Sequence, residues 1–168
     1  MPTVLETERL RLRTMTMDDW ILLRGILTDP VAMKYYPKPY DEQGTRDWVQ
    51  AMLNRYERDG VALWIVEKKE TGEFVGQVGP LVQKVDDEEL MEVGWLLLRD
   101  QWGHGYATEA GEACHRYVFD VLGLDKVIAL IRTENTPSRA VAGRLGMTVW
   151  KETMRSGLKH LVYVKYRK

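Results

Sequence analysis

The chain has 168 residues, 45% hydrophobic and 29% charged, which reads as an ordinary soluble globular protein with one domain over residues 1–168. Lys and Arg total 24 against 25 Asp and Glu; the net charge of −1 excludes a broad electrostatic pull toward nucleic acid or an anionic membrane. Cys114 is the single cysteine, so no intrachain disulfide forms, and no apolar run approaches the ~20 residues that span a bilayer.

The amino terminus, Met1-Pro2-Thr3-Val4-Leu5-Glu6, lacks a basic segment followed by an apolar one, so a cytoplasmic address is expected. Leu10 and Leu12 alternate with Arg9, Arg11 and Arg13, the pattern of a half-buried first strand. Thr16 with Asp19 three residues on resembles a helix start, followed by Trp20, Leu23 and Leu27 at helical spacing up to Asp29-Pro30. A proline-broken, tyrosine-rich connection, Lys34 to Tyr40, leads to a second helix marked by Trp48, Met52 and Tyr56 and stopped by Gly60.

Three strands are expected next, at Ala62–Glu67, Phe74–Val82 and Leu90–Leu98, with turns at Glu70–Glu73 and Asp86–Glu89. From Gly105, Ala107, Ala110, Cys114, Val118 and Val121 recur at helical spacing to Leu122, and Gly123 ends the helix. A strand at Val127–Ile131 and a helix at Thr136–Leu145, with Pro137 in its first turn, come before two last strands around Thr148–Met154 and Leu161–Tyr166. The order predicts an α+β sandwich around one mixed sheet.

The stretch Trp102-Gly103-His104-Gly105-Tyr106-Ala107-Thr108 joins a strand to a helix. A glycine-rich turn there leaves backbone N–H groups free to face one anion, and the helix start adds roughly half a positive charge. A phosphate or pyrophosphate can sit on such a turn without any basic side chain. The usual nucleotide owners fail on residue content. Thr108 occupies the third glycine position of a dinucleotide fingerprint, and no Gly-Lys-Ser or Gly-Lys-Thr occurs.

A second stretch, Asn135-Thr136-Pro137-Ser138-Arg139-Ala140-Val141-Ala142-Gly143-Arg144-Leu145-Gly146-Met147, follows one strand later. Together the two resemble the acyl-CoA signatures of the GNAT superfamily of N-acetyltransferases, and more closely its RimJ/RimL branch of ribosomal-protein N-terminal acetyltransferases. Glu8 to Arg13, Gly76-Gln77-Val78-Gly79 and Glu92-Val93-Gly94-Trp95 also match, so the likeness runs from Leu5 to Tyr166. The fold it implies is an α/β/α sandwich around one mixed, mostly antiparallel sheet with a splayed strand pair. The donor it implies is acetyl-CoA.

On that resemblance, Trp102, Gly103, His104, Gly105, Tyr106, Ala107 and Thr108 hold the pyrophosphate, largely through backbone N–H groups. Leu96, Leu97 and Leu98 pair with the pantetheine arm, and Asn135 reaches it from the far side. Glu92 is the general base working through water, and Ser138 meets both the donor and the departing thiol. The family's frequent tyrosine acid falls on Ala142, so no tyrosine serves here. Read from the residues alone, Glu92 is also a solvated strand-edge carboxylate, Ser138 a first-turn helix residue and Asn135 a cap.

The expected reaction is attack of a neutral amine on the thioester. Neutralising a lysine at pH 7 costs about 4.6 kcal/mol, whereas an α-amine costs about 1 kcal/mol, which favours a protein N-terminal α-amine such as that of a ribosomal protein. A small amine acceptor (polyamine, aminoglycoside or amino acid) and a non-catalytic acyl-CoA-binding module are the alternatives. His104, His115 and His160 lack metal-ligand spacing, so no metal site is expected. Neither nucleic acid nor a membrane is an expected partner, and the chain is expected as a monomer or homodimer.

Overall fold

Period-two alternation puts Leu10 and Leu12 on one face of a strand and Arg11 and Arg13 on the other, and the same rule sorts the whole sheet. The computed structural model of the protein describes residues 2–168. Among them, eight strands form one sheet: β1 (Thr3–Glu6), β2 (Leu10–Arg13), β3 (Trp64–Lys68), β4 (Phe74–Val85), β5 (Glu88–Leu97), β6 (Lys126–Arg132), β7 (Thr148–Arg155) and β8 (Leu158–Tyr166). Their order is β1-β2-β3-β4-β5-β6-β8-β7. Neighbours are antiparallel except β5 and β6, which run parallel and share register only at Glu92 and Ile128. This is the expected mixed, mostly antiparallel sheet with one splayed pair.

Helices α1 (Trp20–Leu27) and α2 (Glu42–Asp59) cover one face, and α3 (Tyr106–Arg116) and α4 (Thr136–Arg144) the other. Leu23, Ile26, Val49 and Met52 meet Ile65 and Leu81 on the first face. Ala110, Cys114, Ala142 and Leu145 meet Leu10, Leu12, Val78 and Val93 on the second. At Gly76 the strands come so close that a Cβ would lie 2.6 Å from the Leu96 carbonyl oxygen, so the residue cannot carry a side chain.

Three elements differ from expectation. β1 was not anticipated, because a four-residue edge strand with half-exposed side chains carries no alternation to read. The long third helix is α-helical only to Arg116 and continues as a π turn over Tyr117–Val121, in which the Leu122 N–H reaches the Tyr117 carbonyl at 3.0 Å. Helical spacing hid that change because Val118 and Leu122 both stay on the packed face. The tip between β4 and β5 is Asp86-Asp87 alone, both at positive φ, as a two-residue hairpin requires.

Candidate active site

The turn after β5 presents a run of backbone N–H groups unpartnered among the described residues. Gly103 and Gly105 take φ of 81° and 79°, which turns successive N–H groups to one side. Gly105 is the N-cap of α3 and supplies no side-chain acceptor. The first helical bond runs from the Glu109 N–H to the Gly105 carbonyl at 3.0 Å, so the N–H groups from Gly103 to Thr108 have no acceptor among the described residues.

The side chains around this turn add to it. Arg9 lays its guanidinium 4.5 Å from the centre of the Tyr106 ring and pairs with Glu109 at 2.7 Å, which brings a cation to the seat. Sequence reasoning missed Arg9 as a site residue, since its alternation with Leu10 made it look like one more strand-surface charge. Trp102 donates its indole N–H to the Leu97 carbonyl at 3.2 Å, tying the turn to the end of β5. His104 stacks loosely on Tyr106, with ring centres 5.5 Å apart, and is exposed outside the cleft wall.

From this seat a cleft of about 1340 Å³ runs through the fork between β5 and β6 to the opposite face. The parity of β5 decides which backbone groups the fork exposes. Pro80, with no N–H, lies opposite Val93, and the Leu98 N–H donates to the Val75 carbonyl at 3.0 Å. Backbone polar groups alternate sides along a strand. Leu96 and Leu98 therefore turn theirs into β4, while Val93, Trp95 and Leu97 turn theirs into the fork. Leu96 and Leu97 border the cleft; Leu98 does not.

The start of α4 forms the other wall. Asn135 Oδ1 accepts the Ser138 N–H at 3.2 Å, so its side chain caps the helix. Ser138 Oγ accepts the Trp95 indole N–H at 3.3 Å, which leaves the hydroxyl proton free to point elsewhere. Trp95 is thus a second residue to which sequence reasoning gave no role in the site, although it lies in the matching stretch from Glu92.

Glu92 sits where the fork begins. A parallel ladder past the Glu92–Ile128 pair would next bring the Leu130 N–H to the Val93 carbonyl. Instead Glu92 Oε2 takes that N–H at 3.1 Å, and Oε1 takes Gln83 Nε2 at 3.0 Å. The side chain therefore ends the ladder as well as facing the cleft. Burial pushes the carboxyl above the usual range, against the two hydrogen bonds and the positive charges of Arg155 and Arg55. A carboxylate so raised is the better proton acceptor near neutral pH.

An acetyltransferase (GNAT) domain model matches residues 9–148, most of the chain. The chain belongs to the GNAT acetyltransferase family. Bacillus subtilis YkkB is 42% identical over 146 residues, covering 86% of this chain and 85% of its own. A crystal structure of an Agrobacterium tumefaciens acetyltransferase superposes with a TM-score of 0.86 at 33% identity, covering 99% of this chain and 95% of the other. RimL, a ribosomal L7/L12 alpha-N-protein acetyltransferase solved with coenzyme A, shares the fold at a TM-score of 0.77 and 16% identity, covering 98% of each.

GNAT enzymes use acetyl-CoA, and the two donor features fit its parts: an uncapped N–H run for a pyrophosphate, an open strand edge for an amide-bearing arm. On the acceptor face, Tyr35, Tyr36, Tyr40 and Trp48 line the cleft, with Tyr40 edge-on to Trp48 at 5.4 Å. Trp64 is buried in the opposite core against Tyr117. Tyr36 exposes part of its ring, but burial and the charge of Glu92 push its hydroxyl above the usual phenol range, so it stays a neutral donor.

The three histidines are scattered. His115 is buried with both ring nitrogens unpartnered, and burial pushes its pKa down to about 4. Among the described residues no group of three or more His, Cys, Asp and Glu could hold a metal ion. No helix there is long and apolar enough to cross a membrane.

Proposed function

We propose that this GNAT enzyme transfers the acetyl group of acetyl-CoA to an α-amine, by direct attack of the neutral amine on the thioester. The observation that carries the reading is that the uncapped N–H run of Gly103 to Thr108 and the opened edge of β5 border one cleft, which continues to Glu92 on the other face. The N–H run takes the pyrophosphate, and the edge groups of Trp95 and Leu97 take the pantetheine arm. Asn135 and Ser138 close the arm from α4.

Glu92 takes the ammonium proton of the bound acceptor through water, and the neutral amine then forms the C–N bond as the C–S bond breaks. Ser138, held from behind by the Trp95 indole, passes its hydroxyl hydrogen to the departing sulfur and regains one from the attacking nitrogen as the amide forms. An α-amine needs about 3.6 kcal/mol less than a lysine to reach its neutral form at pH 7, which matters where a single carboxylate serves as base. The test is thiol release from acetyl-CoA against N-terminal peptides, acetyl-blocked lysine peptides and polyamines at several pH values. Turnover confined to free α-amines is expected. Faster turnover of lysine peptides or polyamines overturns the acceptor reading, and coenzyme binding with no turnover on any amine overturns catalysis.

A further inference from the structure

On the acceptor face, strand parity gathers one set of side chains. Glu92 of β5 lies opposite Leu81, Gln83 two residues on lies opposite Leu90, and Arg132 of β6 lies opposite His160 of β8. The β7–β8 hairpin, turning at Ser156-Gly157, brings Arg155 to the same rim. Five arginines border the cleft. Arg9 and Arg132 are paired with Glu109 and Glu134, and Arg116 and Arg144 stand on α3 and α4. Arg155 is the arginine at the acceptor end with no carboxylate partner.

Its present bonds are weak ones to neutral oxygens: Nη1 to the Lys84 carbonyl at 3.1 Å and Nη2 to Gln83 Oε1 at 3.3 Å. Three of the five N–H donors of a guanidinium stay open. Arg55, in the adjoining depression that meets the cleft at Gln83 and Arg155, also donates only to a carbonyl, that of Val82 at 2.7 Å. A partly buried cation beside a second one, neither within ion-pair distance of a carboxylate, leaves room for an anion that arrives from outside. The acceptor half offers a polycation little in return. Its one bordering carboxylate is Glu92, and both oxygens of Glu92 already accept protein hydrogen bonds.

We propose that Arg155 selects acceptors that carry a carboxylate close to the reacting amine. The spacing supports this: a single amide, that of Gln83, bridges Arg155 to Glu92. The two charges are therefore less than about 10 Å apart, the reach of roughly three extended residues. An amine delivered to the fork at Glu92 places an acidic side chain of its first or second residue, or the carboxylate of a free amino acid, at the guanidinium. The inference rests on the acetyltransferase reading above and adds to it the charge of the substrate.

The experiment compares acidic and neutral members of two amine classes: Ser-Glu against Ser-Gln amino-terminal peptides, and glutamate against glutamine. Aminoglycoside is the polycationic arm. For the wild-type enzyme, kcat/KM for the acidic member exceeds that of its neutral partner by about tenfold, a difference carried in KM. Added salt shrinks the preference. Arg155→Gln reduces the ratio to about one, Arg155→Lys keeps part of it, and Arg155→Glu inverts it. The class that turns over names the source of the carboxylate.

A wild-type enzyme without acidic preference, or with better turnover of the aminoglycoside, overturns the proposal, as does a preference that survives in Arg155→Gln. If the variants fold poorly, the salt dependence of the wild-type ratio still decides. Absence of turnover on every amine would instead count against the acetyltransfer reading itself, which coenzyme binding measures separately.

Discussion

Replacing Glu92 by Gln separates its observed task, ending the β5–β6 ladder, from its proposed one, accepting a proton. The carboxylate takes Gln83 on one oxygen and the Leu130 N–H on the other, at 3.0 and 3.1 Å. A glutamine there has one carbonyl oxygen, which must stay on Leu130 because a backbone N–H cannot turn away. Its NH2 then faces Gln83, which turns its own oxygen inward and gives up the 3.3 Å bond from Arg155. One hydrogen bond is lost, about 1 kcal/mol, or about 2–4 °C in Tm for a chain of this size. Relief of the buried charge offsets part of that. The folded pKa of Glu92 is raised, so ionising it costs stability as the pH rises through that pKa, and the variant lacks this loss.

The kinetic effect has a different size and a pH signature. An α-amine with a pKa near 8 is only about one-tenth neutral at pH 7. With Glu92 to take the ammonium proton, kcat/KM for the acceptor is level between the carboxyl and amine pKa values. Without it, only pre-formed neutral amine reacts, so the rate climbs about tenfold from pH 7 to 9. Beneath that lies a pH-independent loss of about 10²-fold for the missing base. Initial rates of thiol release across pH 6 to 9.5, with thermal melts on the same samples, measure both. A wild-type to variant ratio that stays constant with pH, together with a large drop in Tm, would refute the base assignment and leave Glu92 as a clamp of the fork.

The donor seat is tested by Gly105→Asp, which adds a side chain at a φ of 79° and a negative charge among the N–H groups; coenzyme A should bind at least about 100-fold more weakly by calorimetry. Unchanged affinity would show that the phosphates sit elsewhere, and Gly105→Ala distinguishes strain from charge. On the proposed role of the hydroxyl at the departing sulfur, Ser138→Ala should lower kcat about tenfold with KM for acetyl-CoA nearly constant; a rise in KM alone would make it a donor contact. Gly76→Ala drives a Cβ to 2.6 Å from the Leu96 carbonyl and 2.7 Å from Leu97 Cα, backbone that cannot yield, and should cost about 1–3 kcal/mol in urea denaturation.

Elements whose signals are local could be read directly. The alternation of Leu10 and Leu12, the stop at Gly60 and the Pro137 start of α4 each depend on neighbours within a turn or a strand, and each is present in the structure. The glycine turn belongs with them, since positive φ at Gly103 and Gly105 follows from residue type. What stayed hidden depends on contacts across the sequence. Arg9 meets Glu109 across 100 residues, Trp95 meets Ser138 across 43, and Arg155 meets Gln83 across 72. No periodicity records such pairs. Which of Leu96, Leu97 and Leu98 faces the fork was hidden for another reason. It turns on the phase of β5 against β4, and Pro80 reveals that phase only once its partner is known to be Val93.

That phase also explains how one strand can serve both halves of a transfer. Side chains of β5 alternate across the sheet, so Val93, Trp95 and Leu97 pack toward α3 and α4 while Glu92 and Leu96 face the other side. The same odd-numbered residues turn their backbone polar groups into the fork. A donor lying along that edge is therefore held by residues whose side chains belong to the donor face, with Trp95 fixing Ser138 there. The even-numbered Glu92 stands one residue before the edge opens, on the acceptor face. On the proposed reading, an amine reaches the thioester through the gap that begins where Glu92 takes the Leu130 N–H. Filling the fork with a continued β5–β6 ladder would bury both functions at once, so the broken pairing is the structural condition for the chemistry.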